Sequence, residues 1–176
     1  MASPRDYKNT IVPNWCPGCG DYGIQNAISA VCAKKGWANE DITLISGIGC
    51  SSRIGGYPTH GRALPFAQGI KCANKDTHLI VCSGDGDSYA IGLGHAMHAM
   101  KRNMDITYLV FDNQVYGLTK GQTSPASSKG FVTKTTPDGN PLTPPAPPSW
   151  PRPMPLTAET WWTSSKKQWT TKDSPM

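Results

Sequence analysis

Four short stretches of this chain carry side chains able to do chemistry. Gly84-Asp85-Gly86-Asp87 and Asp112-Asn113-Gln114-Val115-Tyr116-Gly117 offer the side-chain oxygens of Asp85 and Asn113. Such ligands suit a hard cation like Mg²⁺, which takes one or two protein oxygens and completes its shell with phosphate oxygens. Gly47-Ile48-Gly49-Cys50 adds a thiol, and Trp15-Cys16-Pro17-Gly18-Cys19 adds two more at CxxC spacing. Glycine lets a backbone approach a diphosphate closely, and a helix start after residue 87 favours an anion. Gly-Asp is also common in plain turns. What argues for a site is placement, because three of the stretches each follow a β-like run, at residues 42–46, 78–82 and 106–111. Parallel α/β sheets put their ligands at the carboxyl ends of their strands. Three loops therefore predict one shared site.

The elements that must position these loops can be read from periodicity. Residues 21–36 predict a helix, with Ile24, Ala27, Ile28 and Val31 at helical spacing, Asp21 as N-cap and Gly36 as its stop. Residues 62–74 predict a weaker helix, with Pro65 tolerable only in the first turn. Residues 88–102 predict a third, closed by the basic pair Lys101-Arg102. Strands are expected at 42–46, 78–82 and 105–111. This alternation predicts a three-layer α/β domain with a parallel sheet and right-handed crossovers, within residues 1–140.

Bulk properties narrow the function classes. The chain has 176 residues and a net charge of +5, with no block of basic residues, so no nucleic-acid partner is expected. No apolar run is long enough to span a membrane, and no membrane association is expected. The N-terminus lacks the apolar stretch of a leader, which predicts a cytoplasmic protein. There the six cysteines read as thiols or metal ligands. From the residues alone, Cys16 and Cys19 fit a dithiol redox pair or, with Cys50, a zinc site. A thioredoxin-like pair needs a strand before it, and residues 9–14 contain Pro13 and read as loop. Cys32, Cys72 and Cys82 read as small core residues.

Residues 141–176 have a different character. From residue 137 onward lie 10 of the 16 prolines and 4 of the 6 tryptophans, and Val, Ile, Phe and Cys are absent. Neither a helix nor a strand pattern survives such text, and disordered tails are usually poor in aromatics. A shifted reading frame accounts for it. New codons built from the third base of one residue and the first two of the next make Trp161-Trp162 encode Val, Trp162-Thr163 encode Asp, and Trp150-Pro151 and Met154-Pro155 encode Ala. The neighbouring junctions permit an amphipathic helical string and a strand-like one. A native unstructured tail is the other reading.

Taken together, Trp15-Cys16-Pro17-Gly18-Cys19-Gly20, Gly47-Ile48-Gly49-Cys50-Ser51-Ser52-Arg53, Thr59-His60-Gly61-Arg62-Ala63, Gly84-Asp85-Gly86 with Asp112-Asn113, and residues 115–125 resemble the β subunit of 2-oxoacid:ferredoxin oxidoreductases. The resemblance implies the diphosphate-binding half of a thiamine diphosphate enzyme, incomplete at its C-terminus. It implies Mg²⁺ held by Asp85, Asn113 and the Val115 carbonyl. Gly49, Cys50, Ser51, Gly84, Gly86, Asp87, Gly117, Leu118 and Thr119 would line the cofactor. Cys16, Cys19 and Cys50 would hold a four-iron four-sulfur cluster, whose fourth cysteine comes from the family's C-terminal part; this chain has none after Cys82. Arg53 would meet the substrate carboxylate and His60 the cofactor, while His95 and His98 pack their helix. The implied reaction is oxidative decarboxylation of a 2-oxoacid such as 2-oxoglutarate or pyruvate, with electrons passed to ferredoxin and the acyl group to coenzyme A. It needs an α subunit. A thiamine diphosphate synthase or decarboxylase without redox chemistry, and a nonfunctional frameshifted remnant, are the alternatives.

Limited proteolysis is expected to cut first between Lys134 and Arg152 and to leave a resistant N-terminal fragment. Protection of the tail against hydrogen exchange equal to that of residues 78–82 would contradict this.

Overall fold

The computed structural model describes residues 2–55 and 59–142. Strands β1 (Ile42–Ser46), β2 (His78–Gly84) and β3 (Thr107–Phe111) form one sheet in the order β1-β2-β3, and both pairs are parallel. Ser46 lies opposite Cys82, and Gly84 lies opposite Phe111. All three strands therefore end at one edge of the sheet. Three helices cover it, α1 (Asp21–Lys35), α2 (Ala63–Ala73) and α3 (Leu93–Lys101).

The central strand β2 is apolar from Leu79 to Cys82 because both its faces are covered. Leu79 and Val81 pack against Ala63, Leu64 and Ala67 of α2 and Ala96 and Ala99 of α3. Ile80 and Cys82 point the other way, toward Trp15, Leu109, Phe111 and Cys32 of α1. That is the expected three-layer order, with α1 on one face and α2 and α3 on the other. Among the described residues no helix is long and apolar enough to cross a membrane.

The differences from expectation lie at element ends. Asp21 is the first helical residue rather than the cap, and Gly20 precedes it. Gly36 ends α1 with φ 65°, the left-handed turn foreseen for it. Pro65 sits in the first turn of α2. β2 runs two residues further than expected, to Gly84, and β3 starts two later, at Thr107. Residues 88–102 do not form one helix. Asp87–Ile91 make a wide π turn in which Gly92 N–H donates to Asp87 C=O at 3.0 Å, and α3 starts only at Leu93. Gly92 and Gly61 explain the opening. A side chain on Gly92 would collide with Asp87 C=O, and one on Gly61 (φ +72°) would collide with Ile91. The widened turn admits the Gly61 loop against the helix, and such turns often mark functional positions. Cys72 is exposed rather than part of the core, because it lies on the solvent side of α2. His98 is exposed too, so it does not pack α3. Apart from Pro141 and Leu142, the tail from 141 onward lies outside the described residues.

Leu79 is 3 % exposed on the face shared by α2 and α3. Leu79→Ala is expected to lower the unfolding free energy by about 2–5 kcal/mol, read by chemical denaturation of the full chain.

Candidate functional site

The loops leaving β1, β2 and β3 meet at the carboxyl edge of the sheet. Gly47 N–H donates to Cys82 C=O at 2.6 Å, which joins the first loop to the second. Asp85 follows Gly84, whose partner in the register is Phe111, so Asp85 leaves beside Asp112 and Asn113. A short antiparallel pair, β4 (Val115–Tyr116) and β5 (Gln122–Thr123), then turns the chain back. That return brings the Ser124 hydroxyl to Asp85, to which it donates at 2.5 Å.

Asp85 is 3 % exposed. Burial pushes its carboxyl above the ordinary carboxylate range; the Ser124 hydrogen bond opposes this and the Asp112 charge adds to it. Its hydrogen-bond donors, the Ser124 hydroxyl and the main-chain N–H groups of Gly86 and Asp85, are all neutral, and with a like charge nearby the buried carboxylate lacks a positive partner. This is the electrostatic condition that a bound cation relieves. Asn113 Oδ1 accepts from Val115 N–H at 3.1 Å, and Val115 C=O accepts from Gly117 N–H at 3.0 Å. Each oxygen retains a second lone pair. The donor set at Asp85, Asn113 and Val115 thus fits a hard cation.

The glycines of the second loop are spatially required. The Tyr116 ring lies where a Gly86 side chain would be, and Tyr116 Oη donates to Gly86 C=O at 3.3 Å. Tyr108 Oη donates to Ser88 Oγ at 2.7 Å, and Ser88 Oγ donates to Gly84 C=O at 2.7 Å, which pins the loop from below. Asp87 does the joining. Its carboxylate accepts from Gly61 N–H and from Ser83 Oγ, and it fills the space a Gly47 side chain would need.

In the first loop Gly49 has φ +98°, and Cys50–Ile54 form a 3-10 turn. Ser51 is 1 % exposed, and its hydroxyl has no hydrogen-bond partner among the described residues. A buried hydroxyl without a partner is costly, and a polar ligand at the three-loop edge would satisfy it. Gly117, Leu118 and Thr119 lie in the turn between β4 and β5, where Leu118 is exposed and Thr119 Oγ1 donates to Gln122 Oε1 at 2.8 Å. Arg53, expected at a substrate carboxylate, is turned onto Asn14 and donates to its main-chain oxygen and, at 2.9 Å, to its Oδ1. His60 Nδ1 stands 2.8 Å from Asp87 Oδ1. His95 meets the Arg62 guanidinium at 2.5 Å.

The thiols occupy the other side of the first loop. Trp15 Nε1 donates to Cys50 C=O at 2.7 Å, and the Tyr22 ring meets Trp15 edge-on at 5.0 Å. With the Arg53–Asn14 contact, these bonds seat the CxxC loop beside Cys50. Burial, and then the Asp21 charge, push the Cys50 thiol up. Among the described residues, however, no three His, Cys, Asp or Glu side chains are grouped so as to hold a metal ion. Cys16 and Cys19 lie close enough to Cys50 for their charges to act on its thiol.

Sequence reasoning had not assigned roles to Ser124, Ser83 and Tyr116. Ser124 reaches Asp85 only through the β4–β5 turn, and nothing in local periodicity announces a pairing of two residues each. Ser83 carried a signal, since a polar residue ending an apolar strand points into the loop junction.

Residues 20–151 match the family model described as thiamine pyrophosphate enzyme, C-terminal TPP binding domain. The chain is 46% identical over 143 residues to the 2-oxoglutarate oxidoreductase subunit KorB of Mycobacterium tuberculosis, covering 77% of this chain and 38% of that protein. It is 46% identical over 136 residues to the 2-oxoacid:ferredoxin oxidoreductase subunit beta of Saccharolobus solfataricus, covering 72% and 45%. The chain thus spans less than half the length of these relatives. Among solved structures, it resembles the 2-oxoglutarate:ferredoxin oxidoreductase from Magnetococcus marinus, with 2-oxoglutarate, coenzyme A and succinyl-CoA bound. There the TM-score is 0.79 and the identity 42%, over 83% of this chain and 53% of that one.

Because the folded Asp85 carboxyl is raised, the folded state keeps its proton at pH values where the unfolded chain has lost it. The metal-free chain is therefore expected to lose stability as pH rises from the ordinary carboxyl value of about 3.9 through the higher folded value. Asp85→Asn is expected to flatten that dependence and to raise the thermal midpoint at pH 7, read by calorimetry across pH.

Proposed function

We propose, for a chain that belongs to the thiamine pyrophosphate enzymes through their C-terminal TPP-binding domain, that it is the β subunit of a 2-oxoacid:ferredoxin oxidoreductase. The observation that carries this reading is the three-loop edge. Supporting it are a buried Asp85 beside the Asp112 charge, a buried Ser51 hydroxyl without a hydrogen-bond partner among the described residues, and a Gly86 too close to Tyr116 for any side chain, all on loops that leave the same edge of the sheet. The relatives' names and the ligands of the Magnetococcus structure support the substrate class. On this reading the substrates are a 2-oxoacid such as 2-oxoglutarate or pyruvate, coenzyme A and ferredoxin, and an α subunit completes the site. A cytoplasmic setting belongs to the same reading, supported by six cysteines that all remain free thiols.

Thiamine diphosphate, when bound, supplies the carbanion-stabilising chemistry that decarboxylation of a 2-oxoacid requires. The chain's own residues bind and orient. Asp85, Asn113 and the Val115 carbonyl would hold Mg²⁺ against the diphosphate, and Ser124 orients the Asp85 carboxylate. The Gly84–Asp85–Gly86 backbone would cradle the diphosphate, and the Ser51 hydroxyl of the first loop would be free to donate to it. Tyr116 covers Gly86 and excludes water there. Gly117, Leu118 and Thr119 border the same edge. Arg53 acts through Asn14, by seating the CxxC loop.

An iron–sulfur cluster takes four thiolates, and this chain would offer Cys16, Cys19 and Cys50, whose charges act on one another. The second reading is a thiamine diphosphate enzyme without redox chemistry. Anaerobic reconstitution with iron and sulfide separates the two. A stable visible absorbance band supports the oxidoreductase, and its absence from the chain assembled with an α subunit supports the other.

Asp85→Ala is expected to abolish Mg²⁺-dependent thiamine diphosphate binding in the complex. Loss of a residue one shell out from a metal costs about 10–100-fold in affinity, and loss of a charged ligand should exceed that. Calorimetry showing unchanged affinity would overturn the cation assignment.

A further inference from the structure

The outer face of α2 and α3 carries positive charge that no nearby acid balances. No Asp or Glu occurs from Arg62 to Lys75 or from Ser88 to Met104, two stretches that contain both helices. Lys71 is turned inward, to Thr77 C=O at 2.8 Å and Asp105 at 3.0 Å. Arg62 and Arg102 stay on the outside. Arg62 donates to His95 Nε2 at 2.5 Å, which joins the start of α2 to α3. Arg102 donates to Gln68 Oε1 at 3.2 Å and to His98 C=O at 3.4 Å, which joins the two helices again further along. A guanidinium only donates, so the His95 nitrogen that meets Arg62 carries no proton. All three acceptors are therefore neutral. They fix where the guanidinium groups stand without offsetting their charge. Partial burial, and then the charges of Arg62 and His98, hold the His95 imidazole below its ordinary value, as a locally positive field requires.

Apolar side chains border this stripe. Phe66 on α2, Ile91 just before α3, and Leu93 and Met97 on it are 46 % to 56 % exposed. His95, His98 and Arg102 are spaced by three and four residues and share one side of α3, and Leu93 and Met97, four apart, form a neighbouring row. Aromatic, Met and Arg side chains without acids among them are the composition of a protein–protein interface.

Charge and position select the occupant. A two-fold contact with a second copy would set this patch against itself, and cations would then face cations, which disfavours the pairing. The face also begins at the three-loop edge. Arg62 follows Gly61, which packs on Ile91 and Gly92, and His60, whose ring centroid is 6.3 Å from that of Tyr116. The turn at Asp87–Ile91 leads from the diphosphate loop straight into α3. The face is thus continuous with the edge that an α subunit would complete.

We infer that the outer face of α2 and α3 is the docking surface for the α subunit, through a part of that subunit that sets carboxylates among apolar side chains. The carboxylates pair with Arg62 and Arg102, and Phe66, Leu93 and Met97 supply the apolar contact. This rests on the reading of the chain as a β subunit, and assigns to that reading the surface and the charge of its partner.

The test measures binding of the purified α subunit to the full chain by calorimetry at low and high ionic strength. The double variant Arg62→Glu/Arg102→Glu is expected to bind about 100-fold more weakly than the native chain, and Met97→Glu is expected to weaken binding as well. High salt should weaken the native complex and leave the double variant little changed. Hydrogen exchange across residues 91–102 should slow in the native complex. Native affinity in both variants overturns the inference and leaves the β-subunit reading standing. So does unchanged exchange across residues 91–102 in a complex that forms. Protection of this segment in the chain alone, with a mass twice that of one chain by sedimentation, overturns it in favour of a second copy. Protection by inorganic polyphosphate but not by the α subunit overturns it in favour of a polyanion site. A native chain that does not bind the α subunit overturns both the inference and the reading. If the double variant does not fold, Met97→Glu and the exchange of the native complex decide.

Discussion

The structure depends on one buried carboxylate. Asp87 ties the end of β2 to the loop after β1 and to the Gly61 loop before α2, and each tie uses a different feature. Ser83 offers a hydroxyl, Gly61 an amide and Gly47 empty space. A buried charge is tolerated only when its lone pairs are met by donors, so the carboxylate and the loops specify each other. The sheet sets the loops at one edge, and Asp87 adds a tie from the end of β2 to the Gly61 loop before α2.

The neighbouring Asp85 stands in the opposite condition. Two residues along the same loop, one carboxylate joins separate segments through Gly61 and Ser83, and the other, held by Ser124 and neighbouring main-chain N–H groups, is repelled by Asp112 and has its carboxyl pushed up by burial. Order comes from the first and chemistry from the second. A loop with both carboxylates satisfied would be stable and inert, and one with neither would not hold its shape.

The parallel sheet was legible because apolar runs, Leu79–Cys82 in β2 above all, alternate with helical patterns and are each followed by turn residues. Asp85 and Asn113 could be read as a candidate pair because glycines flank an acid immediately after one strand and the Asn follows the next. What periodicity could not show was anything that depends on two distant segments meeting. The break of the expected helix 88–102 comes from Gly61 pressing on Gly92 across the fold, and a helical pattern has no term for a visitor from another loop. Ser124 was invisible for the same reason, since it reaches Asp85 through β4 and β5, which pair over two residues each. Arg53 was read as a substrate contact from its charge and loop position, yet the nearest acceptors are those of Asn14.

The close approaches at Gly47, Gly61, Gly86 and Gly92 have a consequence for how such a chain can diversify. Each position faces a group that is itself held by another of the set: Gly47 faces Asp87, Gly61 faces Gly92 and Ile91, and Gly92 faces the Asp87 carbonyl. No one of them can gain a side chain before the others have moved, and Gly86 is closed by Tyr116 in the same way. Stepwise drift is therefore blocked at this junction, and the diphosphate-facing edge is inherited as a unit or lost. New specificity has to enter where side chains stand free of that lock, in the Cys50–Ile54 turn and in the exposed turn that joins β4 to β5.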